Sequence, residues 1–576
     1  MSHTRIRGSK SNAAAPDAPS HFSHGPIVLV FAVFLLAMFV IPTFNNVPVG
    51  DDWVYTRSVE MLVEDGRLEI LDLSVVTLVF QVLWGALFSA FEVSFASTRL
   101  STIALVLLST AALYALCRDM RVSPQRAALG AAVYLFNPLT FGLAFTFMTD
   151  PHFTGLLVIS TWLYIRGLRP EQYSPRTVLF ASAIAALAFL VRQQGILIPA
   201  SVGLYLLFAS RWKPNAAGAR MAGIVGGIPA LAVVLYYAWL FLIHGAPEQQ
   251  GAFLDEMIDA GAHESRILAS RMTYIALAYM GVFVLPIALG AVPALRSLCM
   301  PQSWAGRLIA GIWLIALIAG AVIFTQAGRH MPYIPQYASP QGIGPTDLYG
   351  GRPWLLGGDV VSWLSWIAVT SSAAFILLIA TRLFDRATPE RAGASLLCMI
   401  GFWQFIGALP PSFHFRNWII SVDRYLLPLV PISVVLLLWA LNDRRLILPI
   451  AWVTTALIAA FSIIGTRDFL VFQGATWEMA HEAVESGVPL VQLDAGASWD
   501  GYYLYDYSIA HGIDQRTPGG PWWTDLFGPA TDSTYVVSTR VLPEHTVVKQ
   551  DAFSSWMDGD TRTMYLLRKA DSPRTP

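Results

Sequence analysis

The stretch Gly50-Asp51-Asp52-Trp53 decides how the rest of the chain is interpreted. It follows the first apolar run, Pro26 to Ile41, and therefore places two adjacent carboxylates at the end of a hydrophobic segment. Carboxylates beside a membrane span are costly unless they face water or serve a site. The setting of this acid pair is thus the first question that the sequence has to answer.

The composition indicates a protein that lies mostly within a membrane. Of the 576 residues, 55% are hydrophobic and only 13% are charged, and the mean hydropathy is +0.54. These values are too apolar for a soluble globular protein of this size. The net charge of −1 gives no overall basic field, so nucleic-acid binding is not indicated. We therefore expect an α-helical polytopic membrane protein.

Apolar runs of the length that crosses the hydrocarbon core recur along the chain. Residues 1–25, which precede the first run, are interpreted as a disordered cytoplasmic tail. No small-residue cleavage site follows the first run, so we expect it to be retained as a helix. About thirteen transmembrane helices are predicted, over residues 26–43, 98–117, 125–142, 152–166, 177–191, 195–210, 221–243, 272–293, 306–325, 360–380, 394–410, 425–441 and 446–464.

The loops between these runs predict the topology. Lys and Arg collect in every second loop, for example at Arg118 and Arg121 and again at Arg444 and Arg445. Basic residues are enriched in cytoplasmic loops. The N-terminus is therefore predicted to be cytoplasmic, and residues 26–464 form the transmembrane domain. The protein is expected in a bacterial inner (plasma) membrane, with its longer loops on the periplasmic or extracytoplasmic face.

The first outer loop, residues 44–97, contains the acid pair and two predicted helices. Trp53 to Asp65 has the pattern of an amphipathic helix that ends at Gly66. Leu71 to Phe91 is long enough to span, but a span there would reverse every later loop and spoil the charge alternation. It is therefore predicted to be a juxtamembrane or re-entrant helix.

Residues 465–576 have a different character and are predicted to form a small α/β soluble domain on the outer face. A helix is expected over Thr476–Ser486. Strands are expected over residues 489–494, 534–538 and 563–567. The middle of this segment is rich in Trp and Tyr, which is typical of a domain that rests on a membrane interface.

Several short motifs follow one another in an order that resembles the GT-C glycosyltransferases. Within that superfamily the chain is similar to the protein mannosyltransferase and lipid A aminoarabinose transferase group, often called family 39. The motifs are the acid pair Asp51-Asp52, Arg99-Leu100 at the second span, Asn137-Pro138-Leu139, Phe147-Met148-Thr149-Asp150-Pro151, Val191-Arg192-Gln193-Gln194-Gly195 and Asp423-Arg424-Tyr425-Leu426-Leu427-Pro428.

The resemblance implies an enzyme that moves a hexose or pentose from a polyprenyl-phosphate carrier to a lipid, glycan or protein acceptor, with inversion at the anomeric carbon. Such a transfer needs a carboxylate to accept the acceptor's proton and cationic groups to hold the departing phosphate. The family pattern places the base at Asp51. Asp52 is then expected to orient neighbouring groups, and Asp150 to belong to a second acidic motif.

Each acid also has a purely structural explanation. Asp51 precedes the helix expected at Trp53, where Asp is a common N-cap. Asp150 lies between Thr149 and Pro151, an arrangement that is typical of a helix start. Capping and catalysis are therefore both open for these residues at the level of sequence.

Arginines on the predicted outer face are candidates for phosphate binding, because a guanidinium matches phosphate oxygens bidentately. Arg192 and Arg424 are the main candidates, with snorkelling or an ion pair to Asp423 as the alternatives. Weaker candidates are Arg352, Arg416 and His330. The chain has Leu71-Asp72-Leu73 where relatives of the aminoarabinose transferase carry a Lys-Pro-Pro-like stretch, which leaves the identity of the donor open.

No cofactor is expected from the sequence. The three cysteines lack metal-ligand spacing, and neither a calcium loop nor a zinc pattern is present, although two acids and a distant third could hold a divalent cation. Two other classes of protein remain as alternatives. One is a transporter or flippase of a lipid-linked or anionic substrate. The other is a non-catalytic scaffold that keeps the acids as caps.

Overall fold

A computed structural model of the chain describes residues 25–570, apart from residues 210–214, 248–249, 251, 296–300, 302, 386–387, 389, 415–421, 513–530 and 532. The described part is mostly helical, as the sequence predicts. The helices of its first half are α1 Gly25–Ala37, α2 Asp52–Glu64, α3 Val79–Phe88, α4 Phe95–Asp119, α5 Pro124–Leu135, α6 Pro138–Ala144, α7 Thr149–Gly167, α8 Pro175–Phe189, α9 Leu197–Phe208 and α10 Ala216–Trp239.

The second half adds longer helices and all of the β-structure. Its helices are α11 Ala252–Asp259, α12 Gly261–Phe283, α13 Leu285–Gly290, α14 Val292–Leu295, α15 Trp304–Gln326, α16 Gly358–Leu383, α17 Arg391–Gly407, α18 Pro411–His414, α19 Leu429–Ala440, α20 Leu448–Glu485 and α21 Ala497–Ala510. Its strands are β1 Ala338–Ser339, β2 Gly342–Ile343, β3 Leu493–Asp494, β4 Tyr535–Ser538, β5 His545–Ser554 and β6 Thr561–Lys569.

Among the described residues, fewer helices than the predicted thirteen are long and apolar enough to cross a membrane. By length and composition, five helices of the described chain could cross a bilayer, namely α4, α10 with its continuation to His244, α15, α16 and α20. A sixth span results if α5 and α6, which meet at an angle of 63°, are taken together. Other predicted spans fall on apolar helices of 10 to 17 residues, such as α1, α8 and α19. Length alone had overestimated the helical part of these runs, because several of them end in turns.

The loop that carries the acid pair contains the two helices that the sequence predicts. The first, α2, buries Trp53, Tyr55 and Val59, while Val63 near its end is 38% exposed. The second, α3, has only ten residues and is too short to span. The backbone N–H groups of Leu78 and Phe80 donate to carbonyls at the end of α8, which fixes α3 beside that helix.

The predicted boundary at residue 465 falls inside α20, and the helix expected over 476–486 is the final part of this 38-residue helix. Gly465 does not interrupt it. A Cβ atom there would lie 2.6 Å from the side chain of Ile343, so the glycine permits close packing between α20 and the loop that carries β1 and β2. The change in composition near residue 465 therefore marks a new environment along one continuous helix.

A four-stranded sheet lies at the end of α20, with the strand order β3-β4-β6-β5. β3 and β4 are parallel, and the other neighbours are antiparallel. The strands predicted over 534–538 and 563–567 correspond to β4 and β6. The strand predicted over 489–494 is shortened to β3, and β5 was not predicted, because its exposed residues lack an alternating apolar pattern.

At the end of the bundle that the sequence predicts to be cytoplasmic, Arg126 joins α5 to the end of α19. Its guanidinium donates to the carbonyl oxygens of Leu441 at 2.5 Å, Asn442 at 3.3 Å and Arg444 at 2.9 Å. The last carbonyls of a helix have no partner within the helix. Arg126 therefore acts as a cap for a neighbouring helix.

Candidate active site

The acid pair and the second acidic motif meet because two helices begin at the same place. α2 starts at Asp52 and α7 starts at Thr149, and a hydrogen bond from the Phe147 N–H to Asp52 Oδ2, 3.4 Å long, joins the two helix starts. Asp51 occupies the N-cap position of α2, but its side chain forms no capping hydrogen bond. Its carboxylate is therefore directed elsewhere.

The partner of Asp51 is Arg424, which is 373 positions away in the chain. Arg424 Nη2 donates to Asp51 Oδ2 at 3.2 Å. The Asp51 side chain is 47% exposed, whereas that of Arg424 is only 9% exposed. The contact thus joins an accessible carboxylate to a buried cation, which is the arrangement expected for a group that has to meet a substrate and keep its orientation.

Asp150 lies behind this pair and is almost completely buried. Arg192 Nη1 is 2.9 Å from its Oδ1, and Arg424 Nε is 4.0 Å from its Oδ2. Neither carboxylate oxygen has a hydrogen bond of good geometry in the described structure. Arg192 also donates through Nε to Thr149 Oγ1 at 2.8 Å. The two arginines therefore converge on one buried acid.

Tyr425 contacts both arginines. The Cζ atoms of Arg192 and Arg424 each lie 5.5 Å from the centre of its ring. An arginine near the face of an aromatic ring is held by the negative potential of that face. The ring therefore helps to hold both guanidinium groups beside Asp150.

Asp423 does not pair with Arg424, contrary to one of the alternatives weighed from the sequence. Its carboxylate accepts backbone N–H groups of Gln336, Tyr337 and Ala338, at 3.4, 3.1 and 2.7 Å. Neighbouring side chains in this short 3₁₀ turn, Asp423–Leu426, point in different directions. Asp423 thereby fixes the loop before β1 next to Arg424.

Asp52 has a structural environment that differs completely from that of Asp51. It is buried and accepts the Val49 N–H through Oδ1 at 2.5 Å, in addition to the bond from Phe147. Burial raises the pKa of Asp52 to about 7, and the positive charge of Arg99 partly opposes this shift. Arg99, which is also buried, holds the residues before the acid pair by donating to the carbonyls of Thr43, Asn45 and Val47.

Two tyrosines belong to the same cluster and were not predicted from the sequence. The hydroxyl of Tyr337 is buried without a hydrogen-bond partner in the described structure, and a Cβ atom at Gly50 would lie 3.6 Å from it. Burial raises the pKa of Tyr337 well above its usual value, and the charges of Arg424 and the three acids also act on it. Burial likewise raises the pKa of Tyr55, one helical turn beyond Asp51. Both phenols therefore keep their protons and can donate.

The weaker candidates lie apart from this cluster. Arg352 donates to the carbonyls of Ile343 and Gly344 and stacks on Phe469, so it is occupied in holding the β1–β2 loop against α20. It lines a separate cavity of about 250 Å³ between this loop, α20 and the sheet. His330 follows α15, and within the described residues no hydrogen bond or ion pair connects it to the acids. Arg416 lies outside the described residues.

Among the residues that the structure describes, no group of three or more His, Cys, Asp and Glu side chains has an arrangement that could hold a metal ion. The positive charges next to Asp51 and Asp150 come instead from Arg192 and Arg424.

Comparisons with solved structures find similar chains at low identity. ArnT from Cupriavidus metallidurans, in a crystal structure with undecaprenyl phosphate, shares 14% identity at a TM-score of 0.41, over 96% of this chain and 100% of that one. Its apo form gives 14% and 0.39, over 94% and 98%. The Archaeoglobus fulgidus oligosaccharyltransferase, in a complex with zinc and sulfate, gives 14% and 0.39, over 81% and 55%. TM-scores below 0.5 add nothing to the assignment of individual residues.

A comparison with curated proteins gives no significant match. The family model described as dolichyl-phosphate-mannose-protein mannosyltransferase matches residues 76–239. This segment contains Asp150, Arg192 and the helices α3 to α10. Asp51 precedes the matched segment, and Arg424 follows it. The match over residues 76–239 confirms a resemblance of this segment to the protein mannosyltransferases, as the order of the motifs predicts.

Proposed function

We propose that this chain is an inverting glycosyltransferase that moves a sugar from a polyprenyl-phosphate donor to a lipid, glycan or protein acceptor on the outer face of the cytoplasmic membrane. The observation that carries the proposal is the half-exposed carboxylate of Asp51, held by Arg424 in front of the buried acid Asp150. The family match over residues 76–239 supports the class of reaction.

Asp51 is the proposed base. It accepts the proton of the acceptor while the acceptor atom forms a bond to the anomeric carbon from the face opposite the phosphate. The bond between that carbon and the phosphate oxygen breaks, and the phosphate leaves with the electron pair. One bond forms, one breaks, and the configuration of the anomeric carbon is inverted.

Arg192, Arg424 and Tyr337 are proposed to stabilise the departing phosphate. A guanidinium has five donor hydrogens, so Arg424 can contact Asp51 and still offer N–H groups to a phosphate oxygen. The unpartnered hydroxyl of Tyr337 adds a neutral donor on the same side of the loop. Donors that are fixed before the reaction stabilise developing charge without a reorganisation cost.

Asp52 and Asp150 have supporting roles in this proposal. Asp52 connects the starts of α2 and α7 through two backbone N–H groups and thereby positions the residue before it. Asp150 compensates the charge of Arg192 and keeps its guanidinium in place. We further propose that no divalent cation is required, because two arginines already supply positive charge at the site. Activity that survives EDTA supports this point, and loss restored by Mg²⁺ or Mn²⁺ contradicts it.

The experiment uses purified full-length protein in lipid nanodiscs with a panel of polyprenyl-phosphate sugars. We expect transfer or slow hydrolysis of one donor, with an inverted anomeric configuration by NMR. Asp51→Asn is expected to reduce the rate by about 10²- to 10⁴-fold. Asp72→Asn, which removes an exposed carboxylate of the same loop, is the matched control and keeps the rate.

Two outcomes contradict the proposal. A protein that cleaves no donor but carries a lipid-linked sugar across a vesicle bilayer is a transporter. A folded protein with neither activity is a scaffold. If the protein is active and Asp51→Asn keeps the full rate, the enzyme class stands, but the assignment of the base is wrong.

A further inference from the structure

The helix α21 of the C-terminal region reaches the acid pair directly. Ser498, in the first turn of this helix, donates from Oγ to the carbonyl oxygen of Gly50 at 3.2 Å. The same Oγ lies 3.4 Å from Asp347 Oδ2, in the loop between β2 and α16. Ser498 and Asp347 are both buried. A residue about 450 positions away along the chain therefore holds the peptide group that precedes Asp51.

Close packing keeps α21 at this place. A Cβ atom at Gly501 would lie 2.6 Å from the ring of Trp53, so α2 and α21 approach each other where only a glycine fits. Trp53 also contacts Tyr505 edge to face at 5.8 Å. Arg57 of α2 forms an ion pair with Asp506 of α21. The position of Ser498 relative to Gly50 is thus set by an interface of several side chains.

The conformation of Gly50 explains why its carbonyl needs a hydrogen-bond partner from another segment. Its φ angle is +60°, in the left-handed region that glycine adopts without strain. Glycine also has more backbone freedom than any other residue, so the peptide group between Gly50 and Asp51 can rotate unless a partner fixes it. The Gly50 carbonyl belongs to that peptide group. Its hydrogen bond therefore influences the direction of the Asp51 side chain.

The hydroxyl of Ser498 has two acceptors within reach but only one hydrogen. It can donate to Gly50 or to an ionised Asp347, and both contacts exist together only if Asp347 carries a proton and donates to Ser498. The second carboxyl oxygen of Asp347 accepts from Gln473 Nε2 at 3.3 Å. The protonation of Asp347 therefore decides which way the serine hydrogen points.

The surroundings of Asp347 come from three elements. Burial raises its pKa to about 6, which the Gln473 bond, the positive charge of Arg352 and the Ser498 bond partly oppose. Asp500 of α21 also faces Asp347, and Asp494 of β3 adds negative charge next to Asp500. One nearby acid, Asp500, and one arginine thus act directly on this carboxyl, and its raised pKa brings its change of protonation into the range in which enzymes are assayed.

We propose that Ser498 is a positioning residue for Asp51, that it acts through the Gly50 carbonyl, and that Asp347 controls whether it does so. The proposal rests on the proposed role of Asp51 as the base. With Asp347 protonated, Ser498 holds Gly50 and the base is aligned. With Asp347 ionised, the serine hydrogen moves to the carboxylate and the peptide group before Asp51 is released.

The first test compares two serines of the same helix. Ser498→Ala removes the bond to Gly50, whereas Ser508→Ala removes an equally buried hydroxyl that donates only to Leu504 of its own helix. Below about pH 6, where Asp347 is protonated and Ser498 donates to Gly50, we expect kcat to fall about tenfold for Ser498→Ala, since small misplacements of a reacting group are costly. The KM for the donor and the thermal midpoint are expected to stay close to those of Ser508→Ala, whose kcat matches the wild type.

The second test uses pH as a readout that a merely structural role would not change. In Asp347→Asn, the amide nitrogen can donate to Ser498 at every pH while the amide oxygen accepts from Gln473. The ratio of the variant rate to the wild-type rate is expected to rise as the pH increases through about 6. Using this ratio cancels the titration of groups that both proteins share. In a Ser498→Ala background, the same ratio is expected to stay flat.

The outcomes separate this inference from the proposed function. A wild type that transfers no sugar refutes the proposed function. An active wild type refutes the positioning role if, below about pH 6, Ser498→Ala has the kcat of Ser508→Ala, or if the Asp347→Asn ratio is flat with Ser498 present. Equal losses in both serine variants also refute it, because the loss then reflects packing of α21.

Discussion

The two ends of the helical bundle use arginine in different ways. At one end, Arg126 directs its guanidinium to three backbone carbonyls of a helix terminus. At the other end, Arg424 meets the carboxylates of Asp51 and Asp150, and its buried Nε has no hydrogen bond of good geometry in the described structure. The first arginine binds backbone carbonyls of the fold, and the second faces carboxylates and retains capacity for a further partner.

This difference separates stability from function. An arginine that binds backbone carbonyls contributes to the free energy of unfolding, and its replacement is expected to change every assay that depends on folding. An arginine that faces an accessible carboxylate is expected to matter mainly when a substrate is present. We therefore expect variants of Arg126 to change mainly the free energy of unfolding and variants of Arg424 to change mainly the rate of transfer.

The largest effect on stability is expected for Asp150→Asn. This change leaves the buried cation of Arg192 without its carboxylate, and breaking a buried pair in this way costs about 3 to 5 kcal/mol. Denaturant unfolding in detergent measures the effect. Asp65→Asn, which removes the exposed partner of Arg67, is the control and is expected to cost less than about 1 kcal/mol. Equal losses at the two positions contradict the burial argument.

The next effect tests the comparison itself. Arg424→Lys keeps the charge but cannot reach two acids with a planar fork, so transfer is expected to fall by roughly 10²-fold with little change in unfolding. Arg126→Lys is the matched variant. It is expected to keep the rate and lose about 1 to 2 kcal/mol of stability, since carbonyls of a helix end lose their donor. Reversed results for the two variants would show that the two ends are not specialised in this way.

A smaller effect is expected for Tyr337→Phe. The hydroxyl has no hydrogen-bond partner in the described structure, so its removal should leave the free energy of unfolding unchanged or slightly higher. If the hydroxyl binds the donor phosphate, the KM for the donor should rise by about tenfold, the effect of one hydrogen bond to a charged group. Tyr349→Phe, in the loop between β2 and α16 and beside the sheet, serves as the control. A lower stability without a change in KM would assign Tyr337 to the fold.

The part of the site that could be predicted from the sequence consists of residues in short motifs. Asp51, Asp150, Arg192 and Arg424 were singled out by their order along the chain, and the structure brings them together. Tyr337 could not be found in this way, because it lies in a long loop with several other tyrosines. The loop is fixed next to Arg424 by backbone contacts of Asp423, and a pattern of side chains does not reveal such contacts.

The sequence predicts the fold class, but it does not predict where the individual helices begin and end. Hydrophobic runs indicate helices, but they do not show where a helix ends inside the run, as α1 and α19 illustrate. The helix α20 differs from the prediction in the opposite direction, because it is longer than the predicted segment. Its composition changes near Gly465 from apolar to mixed, and the sequence analysis therefore placed a domain boundary within an uninterrupted helix.

The continuity of α20 has a mechanical consequence. With 38 residues it is about 57 Å long, roughly twice the thickness of the hydrocarbon core. It connects the helical bundle rigidly to the sheet, so the two parts turn together. Inserting one residue near its middle would rotate everything beyond the insertion by roughly 100° about the helix axis. The length of this one helix therefore acts together with the interface between α2 and α21 in setting the angle at which α21 meets the acid pair.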